Sequence, residues 1–136
     1  MGILIDSDVI IRAERGLFDL DRWLDSQPAE EFKLAAITIA ELWHGAERAT
    51  GQHRVRREAF LQRMFAIFVC VPYDDEASFA HARLWATLEA SGQMIDPHDL
   101  ILAATATRTG NAVATFNTRH FSVVEGLRVI EPSNAL

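Results

Sequence analysis

The sequence predicts an α/β fold, a three-layer α/β/α sandwich with a short, mainly parallel central sheet flanked by helices. Short continuous apolar runs recur along the chain, and longer segments with helical spacing of apolar residues separate them. Strands that are apolar on both sides are typical of parallel sheets covered by helices. The 136 residues, 49% of them hydrophobic, suffice for one domain with a substantial core.

The first strand and the two segments after it are clearly marked. GILID is a short buried strand, and DVIIRAERG follows with helical spacing and with Gly16 placed to end the helix. FDLDRWLDSQ is a second amphipathic helix, with Pro28 beyond its end. Its predicted apolar stripe consists of Leu17, Leu20, Trp23 and Leu24.

A second strand, KLAAI, leads directly into a helix, IAELWHGAERA. Thr38 lies where an N-cap belongs, and Glu41 follows three residues later, which is the spacing of a capping box. Another helix is predicted from Gln52 to about Phe65. We interpret its arginines as a solvated face, with contact to RNA phosphates or to acids of a partner as the alternative. These are Arg54, Arg56, Arg57 and Arg63.

The third strand is FVCVPY, and its Cys70, the only cysteine, is interpreted as a small core residue. DDEASFAHARLWATLEAS begins with three acids, which suits a helix N-terminus. Phe79, Ala82 and Leu88 are predicted to lie on the core stripe of this helix.

The last third of the chain predicts one more helix and two strands. PHDLILAATATRTG starts with Pro97 in its first turn and ends at Gly110, the usual asymmetry of helix ends. NAVATF is the fourth strand, NTRHF a loop or short helix, and LRVI a short fifth strand stopped by Pro132. No repeat or linker interrupts the chain, so residues 1–136 are expected to form a single domain.

Composition and charge narrow the function classes. Thirteen basic and 19 acidic residues give a net charge of −6, which argues against a protein that coats polyanions, although a local basic patch or a metal can still hold nucleic acid. A single cysteine excludes a disulfide framework and a cysteine zinc site within the chain. The sequence carries no secretory signal and no apolar run long enough for a membrane helix. We therefore expect a cytoplasmic protein with no membrane partner.

Oxygen-bearing side chains follow several of the predicted strands. In an open α/β sheet, ligands collect at the carboxyl ends of the strands, so these side chains are expected to converge at one edge. Neighbouring carboxylates repel each other unless a cation holds them, and all-oxygen ligands suit Mg²⁺ or Mn²⁺ rather than zinc. Such an ion activates water and offsets charge on phosphate, which predicts metal-dependent hydrolysis of a phosphate ester. The residues concerned are Asp6, Asp8, Glu41, Asp96, Asp99, Thr115 and Asn117.

Structural roles compete with this chemistry at some positions. Asp8 is interpreted as a helix cap or an exposed first-turn acid, which leaves Asp6 free for the site. Asp96 is interpreted mainly as the N-cap of its helix. Asp99 shares a helix face with apolar residues, which favours an inward-pointing carboxylate. None of the five histidines pairs convincingly as a general base.

Four short motifs in this order resemble those of the PIN-domain ribonucleases, and among them the VapC toxins of bacterial type II toxin–antitoxin systems. The motifs are LIDSDVII, ITIAELWHGAERA, DPHDLILAATA and ATFNTRHF, and the resemblance covers essentially the whole chain. It implies a PIN-like α/β/α sandwich, cleavage of single-stranded RNA such as tRNA, homodimerisation, and neutralisation by a cognate VapB-like antitoxin.

The resemblance also implies roles for individual residues. The metal-binding acids are Asp6, Glu41 and Asp99, and these three together with Asn117 form the catalytic set. Asn117 stands where the four-acid form of the family has its fourth acid, which lowers the capacity for a second ion. One Mg²⁺, with a second arriving alongside substrate, is therefore expected. Apart from the resemblance, Ser7 and Thr115 are candidates to hydrogen-bond a ligand or water, and a supporting role is the alternative to capping for Asp96.

Two other functions are compatible with the sequence. A catalytically weak PIN fold that acts as a binding or regulatory module would fit Asn117 and the acidic net charge. Asp-Ser-Asp after the first strand also resembles the haloacid-dehalogenase-type phosphatases, in which Asp6 would be a nucleophile. That chemistry needs a lysine, and the only one is Lys33, just before the second predicted strand.

Overall fold

The computed structural model describes residues 2–133, in which five parallel strands form one sheet in the order β3-β2-β1-β4-β5. The strands are β1 (Gly2–Ile5), β2 (Glu31–Ala35), β3 (Val69–Val71), β4 (Ala112–Ala114) and β5 (Val129–Ile130). The helices are α1 (Ser7–Glu14), α2 (Leu20–Asp25), α3 (Ala36–Arg48), α4 (Gly51–Ile67), α5 (Asp75–Ala90), α6 (Pro97–Thr109) and α7 (Thr118–Phe121).

The side chains of the central strand β1 alternate between two cores, one on each face of the sheet. Ile3 and Ile5 pack in a cluster with residues of α1, α2, α3 and α4. Leu4 points to the other face, where it packs with residues of α5, α6 and α7. The helices therefore form one layer on each side of the sheet, which confirms the predicted three-layer α/β/α sandwich. No helix within residues 2–133 is long and apolar enough to cross a membrane.

Helix α6 has the ends that the sequence predicts. The Asp96 carboxylate accepts a hydrogen bond from the backbone N–H of His98 at 2.9 Å, so Asp96 is the N-cap and Pro97 opens the helix. Gly110 ends it with φ 69°, a left-handed conformation that costs glycine little. This helix holds its first turn, and therefore Asp99, in a fixed place beside the sheet.

The predicted capping box at Thr38 is wrong. The strand β2 ends at Ala35 and α3 begins at Ala36, so Thr38 already lies within the first turn of the helix. The N-cap is Ala35, which has no side-chain oxygen to accept a bond. The apolar run that looks like the end of the strand is instead the start of α3, because alanine also favours helix. Glu41 is therefore not part of a capping box.

The predicted core stripe of α5 is wrong in part. Leu88 is buried as expected, but Phe79 is 61% exposed and Ala82 is exposed as well. The helix has apolar residues on more than one side, so their spacing does not identify the side that meets the sheet. The side of α5 that carries Phe79 therefore lies at the surface.

Two other predicted core residues are at the surface. Cys70 is exposed because β3 is a three-residue edge strand in which Val71 alone is buried. Leu17 is 70% exposed because it precedes α2, which starts only at Leu20. In both cases the apolar run extends beyond the part of the element that is covered.

The arginines of α4 are not one uniform solvated face. The side chain of Arg57 is 19% exposed and its Nη2 lies 2.7 Å from Oε1 of Glu14, so it joins α4 to α1. Arg54 pairs with Glu47 of α3 and with Glu58 of its own helix. These pairs tie the helices of one layer together, while Arg56 and Arg63 are exposed as predicted.

Candidate active site

Asp6 lies where the central strand β1 meets the first turn of α1. Its backbone N–H donates to the carbonyl oxygen of Ala114 at 2.9 Å, which continues the pairing of β1 with β4. One carboxylate oxygen accepts from the backbone N–H of Ser7 at 2.8 Å, and the other accepts from the Thr115 hydroxyl at 2.8 Å. Asp6 is therefore itself the N-cap of α1, contrary to the prediction that its neighbours take that role.

Asp6 is buried within the protein, with only 4% of the residue exposed. Burial is the main cause that raises the pKa of Asp6 from 3.8 to about 7, and the negative charge of Asp8 raises it further. The hydrogen bond from Thr115 opposes this rise, and the charge of Asp99 adds to it. The ionised form of Asp6 is therefore unfavourable at this position, and a nearby cation would stabilise it.

Asp8 is neither a helix cap nor an exposed acid. It is half-buried, and its Oδ2 accepts a hydrogen bond from the backbone N–H of Phe116 at 3.0 Å. Its other oxygen, Oδ1, is buried and has no hydrogen-bond partner among residues 2–133. Burial raises the pKa of Asp8, and the bond from Phe116 opposes the rise. Asp8 thus joins α1 to the segment that follows β4.

Glu41 lies in the second turn of α3 and is half-buried. Its Oε2 lies 3.4 Å from Nδ1 of His98. Burial raises the pKa of Glu41, His98 opposes the rise, and the charges of Asp99 and Asp96 add to it. A depression of about 300 Å³ lies beside it, lined by Ser7, Ile11, Ile37, Ala40, Glu41, His44 and His98.

Asp99 lies in the first turn of α6, and 17% of its side chain is exposed. Its Oδ2 lies 3.1 Å from Nδ1 of His120 on α7. Burial raises the pKa of Asp99, the hydrogen bond with His120 opposes the rise, and the charge of Asp96 adds to it. This partly buried carboxylate agrees with the inward orientation predicted from its helix face.

The fold brings Asp99 within electrostatic reach of both other principal acids, Asp6 and Glu41. The negative charge of Asp99 raises the pKa of both Asp6 and Glu41, so it lies near both. The three residues come from the end of β1, from α3 and from α6. They meet at the carboxyl end of the parallel sheet, where α/β folds collect ligands.

The supporting residues take part in this arrangement, Asp96 through its charge near Glu41 and Asp99, whereas the residue at the fourth-acid position is exposed. The Thr115 hydroxyl is buried between Asp6 and the backbone N–H of Asn117, which donates to it at 3.0 Å. Ser7 supplies a backbone donor to Asp6 and lines the depression beside Glu41. The residue Asn117 is exposed, and its side chain makes no capping bond to α7.

The donor set has the chemistry of a site for a hard divalent cation. No three His, Cys, Asp or Glu side chains in the described part of the chain are grouped tightly enough to hold one ion as they stand. The carboxylates nevertheless raise one another's pKa, and the buried Oδ1 of Asp8 has no hydrogen-bond partner within residues 2–133. Oxygen donors with uncompensated negative charge fit Mg²⁺ or Mn²⁺.

Sequence reasoning missed the two histidines of the site. His98 contacts Glu41 and His120 contacts Asp99, although neither contact can be read from helical or strand spacing. The sequence feature that could have indicated these histidines is their position in the motifs, since His98 directly precedes Asp99 and His120 lies within NTRHF.

The lysine that a phosphatase mechanism would need lies away from these acids. Lys33 pairs with Leu4 in the sheet, and its Nζ lies 3.6 Å from the place that a Cβ on Gly2 would occupy. Gly2 begins β1, whereas Asp6 follows the end of the same strand. The haloacid-dehalogenase-type interpretation of Asp6 therefore lacks its cation.

Comparison with known proteins identifies the family of this site. The sequence model of the PIN domain matches residues 3–127. The chain belongs to the PIN-domain family. Among PIN proteins it is related to VapC ribonucleases: Ribonuclease VapC1 of Rickettsia felis is 30% identical over 135 residues, which are 98% of both chains.

Two further proteins resemble the chain over most of its length. A protein of Salmonella typhimurium named tRNA(fMet)-specific endonuclease VapC is 30% identical over 98 residues, which are 71% of each chain. The structure of VapBC-5, described as a member of the VapBC family of toxin–antitoxin systems from Mycobacterium tuberculosis, superposes with a TM-score of 0.75. The sequences there are 28% identical, and the match covers 96% of this chain and 98% of the other. The resemblance predicted from the four motifs is thus confirmed.

Proposed function

We propose that this chain is a divalent-metal-dependent endoribonuclease, the toxin of a VapBC-type toxin–antitoxin pair. The observation that carries the proposal is that Asp99 lies close enough to Asp6 and to Glu41 to raise the pKa of both, and burial raises the pKa of all three carboxyl groups. Membership of the PIN-domain family and the names of the VapC relatives support the same activity.

Asp6, Glu41 and Asp99 would hold Mg²⁺ or Mn²⁺. When bound, the ion would make water a stronger nucleophile and stabilise negative charge on the phosphate. Thr115 and the backbone of Ser7 keep the Asp6 carboxylate in place, and Asp96 keeps the first turn of α6 in place. Asn117 takes the position of a fourth acid with a neutral amide, so it would contact substrate or water.

The substrate class proposed is single-stranded RNA, with tRNA as the first candidate. The name of the Salmonella relative, a tRNA(fMet)-specific endonuclease, supports this choice. Every residue proposed for catalysis lies within the PIN-domain match at residues 3–127, so one domain over residues 1–136 would suffice for the reaction.

The proposed partners are a VapB-like antitoxin and a second copy of this chain, both in the cytoplasm. Structural neighbours described as toxin–antitoxin systems support the first partner. The exposed side of α5 supports the second, because Phe79 and Trp85 are 61% and 48% exposed. Aromatic side chains are enriched at interfaces between protein chains.

The decisive experiment compares RNA cleavage by the wild type, by Asp99→Ala and by a matched control, Asp25→Ala. Asp25 is an exposed acid at the end of α2, outside the candidate site. We expect Mg²⁺- or Mn²⁺-dependent cleavage of tRNA by the wild type and the control, and its loss in Asp99→Ala. Equal cleavage by all three proteins would contradict the site, and metal-independent cleavage would contradict the proposed cofactor.

A binding or regulatory module remains the second candidate because Asn117 replaces an acid and is exposed. That function predicts a folded wild-type protein that binds antitoxin but does not bind Mn²⁺. Calorimetric titration of the purified protein with Mn²⁺ separates the two, since the nuclease requires saturable binding.

A further inference from the structure

The three proposed metal ligands share an arrangement that the motifs do not reveal. Each accepts a hydrogen bond or charge contact from one side chain on another element. Thr115 after β4 donates to Asp6 at 2.8 Å, and Nδ1 of His98 on α6 lies 3.4 Å from Glu41 on α3. Nδ1 of His120 on α7 lies 3.1 Å from Asp99 on α6. Metal-binding carboxylates are commonly oriented by such outer contacts.

His120 is the side chain best placed to fix a ligand. Its contact with Asp99 is shorter than that of His98 with Glu41. The contact joins α7 to α6 through two residues that are 21 positions apart in the sequence. Asp99 is the third residue of α6, and its side chain reaches out of the first turn to His120 on α7. The contact from a second helix therefore restricts the rotation of the carboxylate.

The direction of the hydrogen bond follows from the chemistry of the two groups. An ionised carboxylate has only acceptors, so Nδ1 of His120 carries the proton and donates to Oδ2 of Asp99. The other oxygen of Asp99 is then left for a cation. The imidazole is 55% exposed and lines a surface depression with Asp96, Arg119 and Val123, among others.

We propose that His120 is a positioning residue for the metal site: its Nδ1–H holds the Asp99 carboxylate in the orientation that binds the ion. This inference rests on the proposed function, because it requires Asp99 to be a metal ligand. It assigns no proton transfer to His120, and it means that α7 contributes to the site by carrying His120.

The test uses Mn²⁺ alone as the probe, with affinity measured on the full chain from the paramagnetic resonance signal of the free ion. The two informative variants are His120→Asn and His120→Gln. An Asn amide can take the place of Nδ1 and donate to Asp99, whereas a Gln amide reaches toward the place of Nε2. His53→Ala is the matched control, because His53 is an exposed histidine on α4.

We expect His120→Gln and His120→Ala to weaken Mn²⁺ binding by roughly 10- to 100-fold, the usual effect of removing an outer contact of a ligand. His120→Asn should keep most of the affinity, and His53→Ala should keep all of it. Circular dichroism of each variant verifies the fold, and the Asn and Gln variants decide the matter even if Ala at this position disrupts α7.

RNA cleavage adds a second readout. A residue that acts through the ion loses activity at low Mn²⁺ and regains it at saturating Mn²⁺, so His120→Gln should recover its kcat as the metal concentration rises. Unchanged Mn²⁺ affinity in His120→Gln, or equal losses in the Asn and Gln variants, would overturn the assignment. If the variants alter Mn²⁺ affinity as expected but the wild type cleaves no RNA, the nuclease proposal fails while the role of His120 stands.

Discussion

One hydroxyl group connects the candidate site to the sheet. Thr115 donates to Asp6 and accepts from the backbone N–H of Asn117, and no part of it is exposed. Thr115→Val keeps the shape but leaves the carboxylate without this donor. We expect it to lower the free energy of unfolding by about 1–3 kcal/mol, with a larger loss at pH 8, where Asp6 is ionised, than at pH 5. Urea unfolding at the two pH values measures this.

Thr105→Val is the matched control for that substitution. Thr105 is equally buried, but its hydroxyl donates to a backbone carbonyl, that of Ile101, rather than to a carboxylate. Its cost should be the same at both pH values. A pH-independent cost for Thr115→Val as well would show that Thr115 does not support the charge of Asp6.

The raised pKa of Asp6 has a direct consequence for stability. Because the folded-state pKa, about 7, lies above the usual 3.8, the folded protein holds its proton more tightly than the unfolded chain. The contribution of Asp6 is therefore fully present below about pH 4 and is lost as pH rises through 7. Three pKa units correspond to at most about 4 kcal/mol. Asp6→Asn cannot ionise, so it should lack this decline.

The measurement is the difference in unfolding free energy between the wild type and Asp6→Asn from pH 4 to pH 8, in the presence of a chelator. We expect the wild type to lose stability relative to the variant across this range. Parallel pH curves would contradict the raised pKa. Added Mg²⁺ at pH 8 should restore stability to the wild type but not to Asp6→Asn.

The acids of the candidate site could be proposed from the sequence alone, but their contact partners could not. Asp6 and Asp99 follow from strand ends and helix faces, and the role of Asp96 as a cap follows from its place before Pro97. The contacts of Asp8 with the segment after β4, and of His120 with Asp99, join residues 108 and 21 positions apart. Such contacts depend on the tertiary arrangement, so the spacing of residues within a helix or strand could not have predicted them.

At the level of elements, α5 is apolar on both its covered and its exposed sides. Leu88 is 2% exposed and Phe79 is 61% exposed, so equal changes at the two positions should differ widely in effect. Leu88→Ala should lower the free energy of unfolding by about 2–5 kcal/mol through loss of core packing. Phe79→Ala should change it by less than about 0.5 kcal/mol in dilute monomeric protein.

Urea unfolding at low protein concentration makes this comparison, and it doubles as a check on the orientation of α5. Comparable losses for both variants would mean that Phe79 lies in the core, as its spacing in the sequence first indicated. A reversed order would require α5 to be rotated about its axis.

The strands and α6 were predictable because their signals agree with one another. Continuous apolar runs fit a sheet covered on both faces, and Pro97 and Gly110 mark both ends of α6. The start of α3 was not predictable, because Ala35 and Ala36 suit a strand end and a helix start equally well. Tertiary packing settles that choice by burying Thr38 inside the helix.

For the molecule as a whole, the exposed side of α5 predicts self-association. Phe79→Glu would place a negative charge in the proposed contact between the two copies. In a symmetric dimer that charge would face either the same glutamate of the second copy or its apolar surface, and both arrangements are unfavourable. We expect the wild type to elute at twice the chain mass in size-exclusion chromatography with light scattering, and Phe79→Glu at the mass of one chain.

Val55→Glu is the control for that experiment. Val55 is also apolar and 58% exposed, but it lies on α4, in the opposite layer of the sandwich. Its variant should elute as the wild type does. If Val55→Glu eluted as a monomer and Phe79→Glu as a dimer, the interface would lie on the other layer of the sandwich.

The sheet order has a consequence for synthesis of the protein. The central strand β1 is made first, yet its neighbour β4 comes near the end, and the Asp6–Thr115 bond joins residues 109 positions apart. A ribosome must therefore release almost the entire chain before Asp6 acquires its hydroxyl partner. A nascent polypeptide, or the product of a premature stop codon before Thr115, cannot form the hydrogen bond that supports Asp6 in the candidate site.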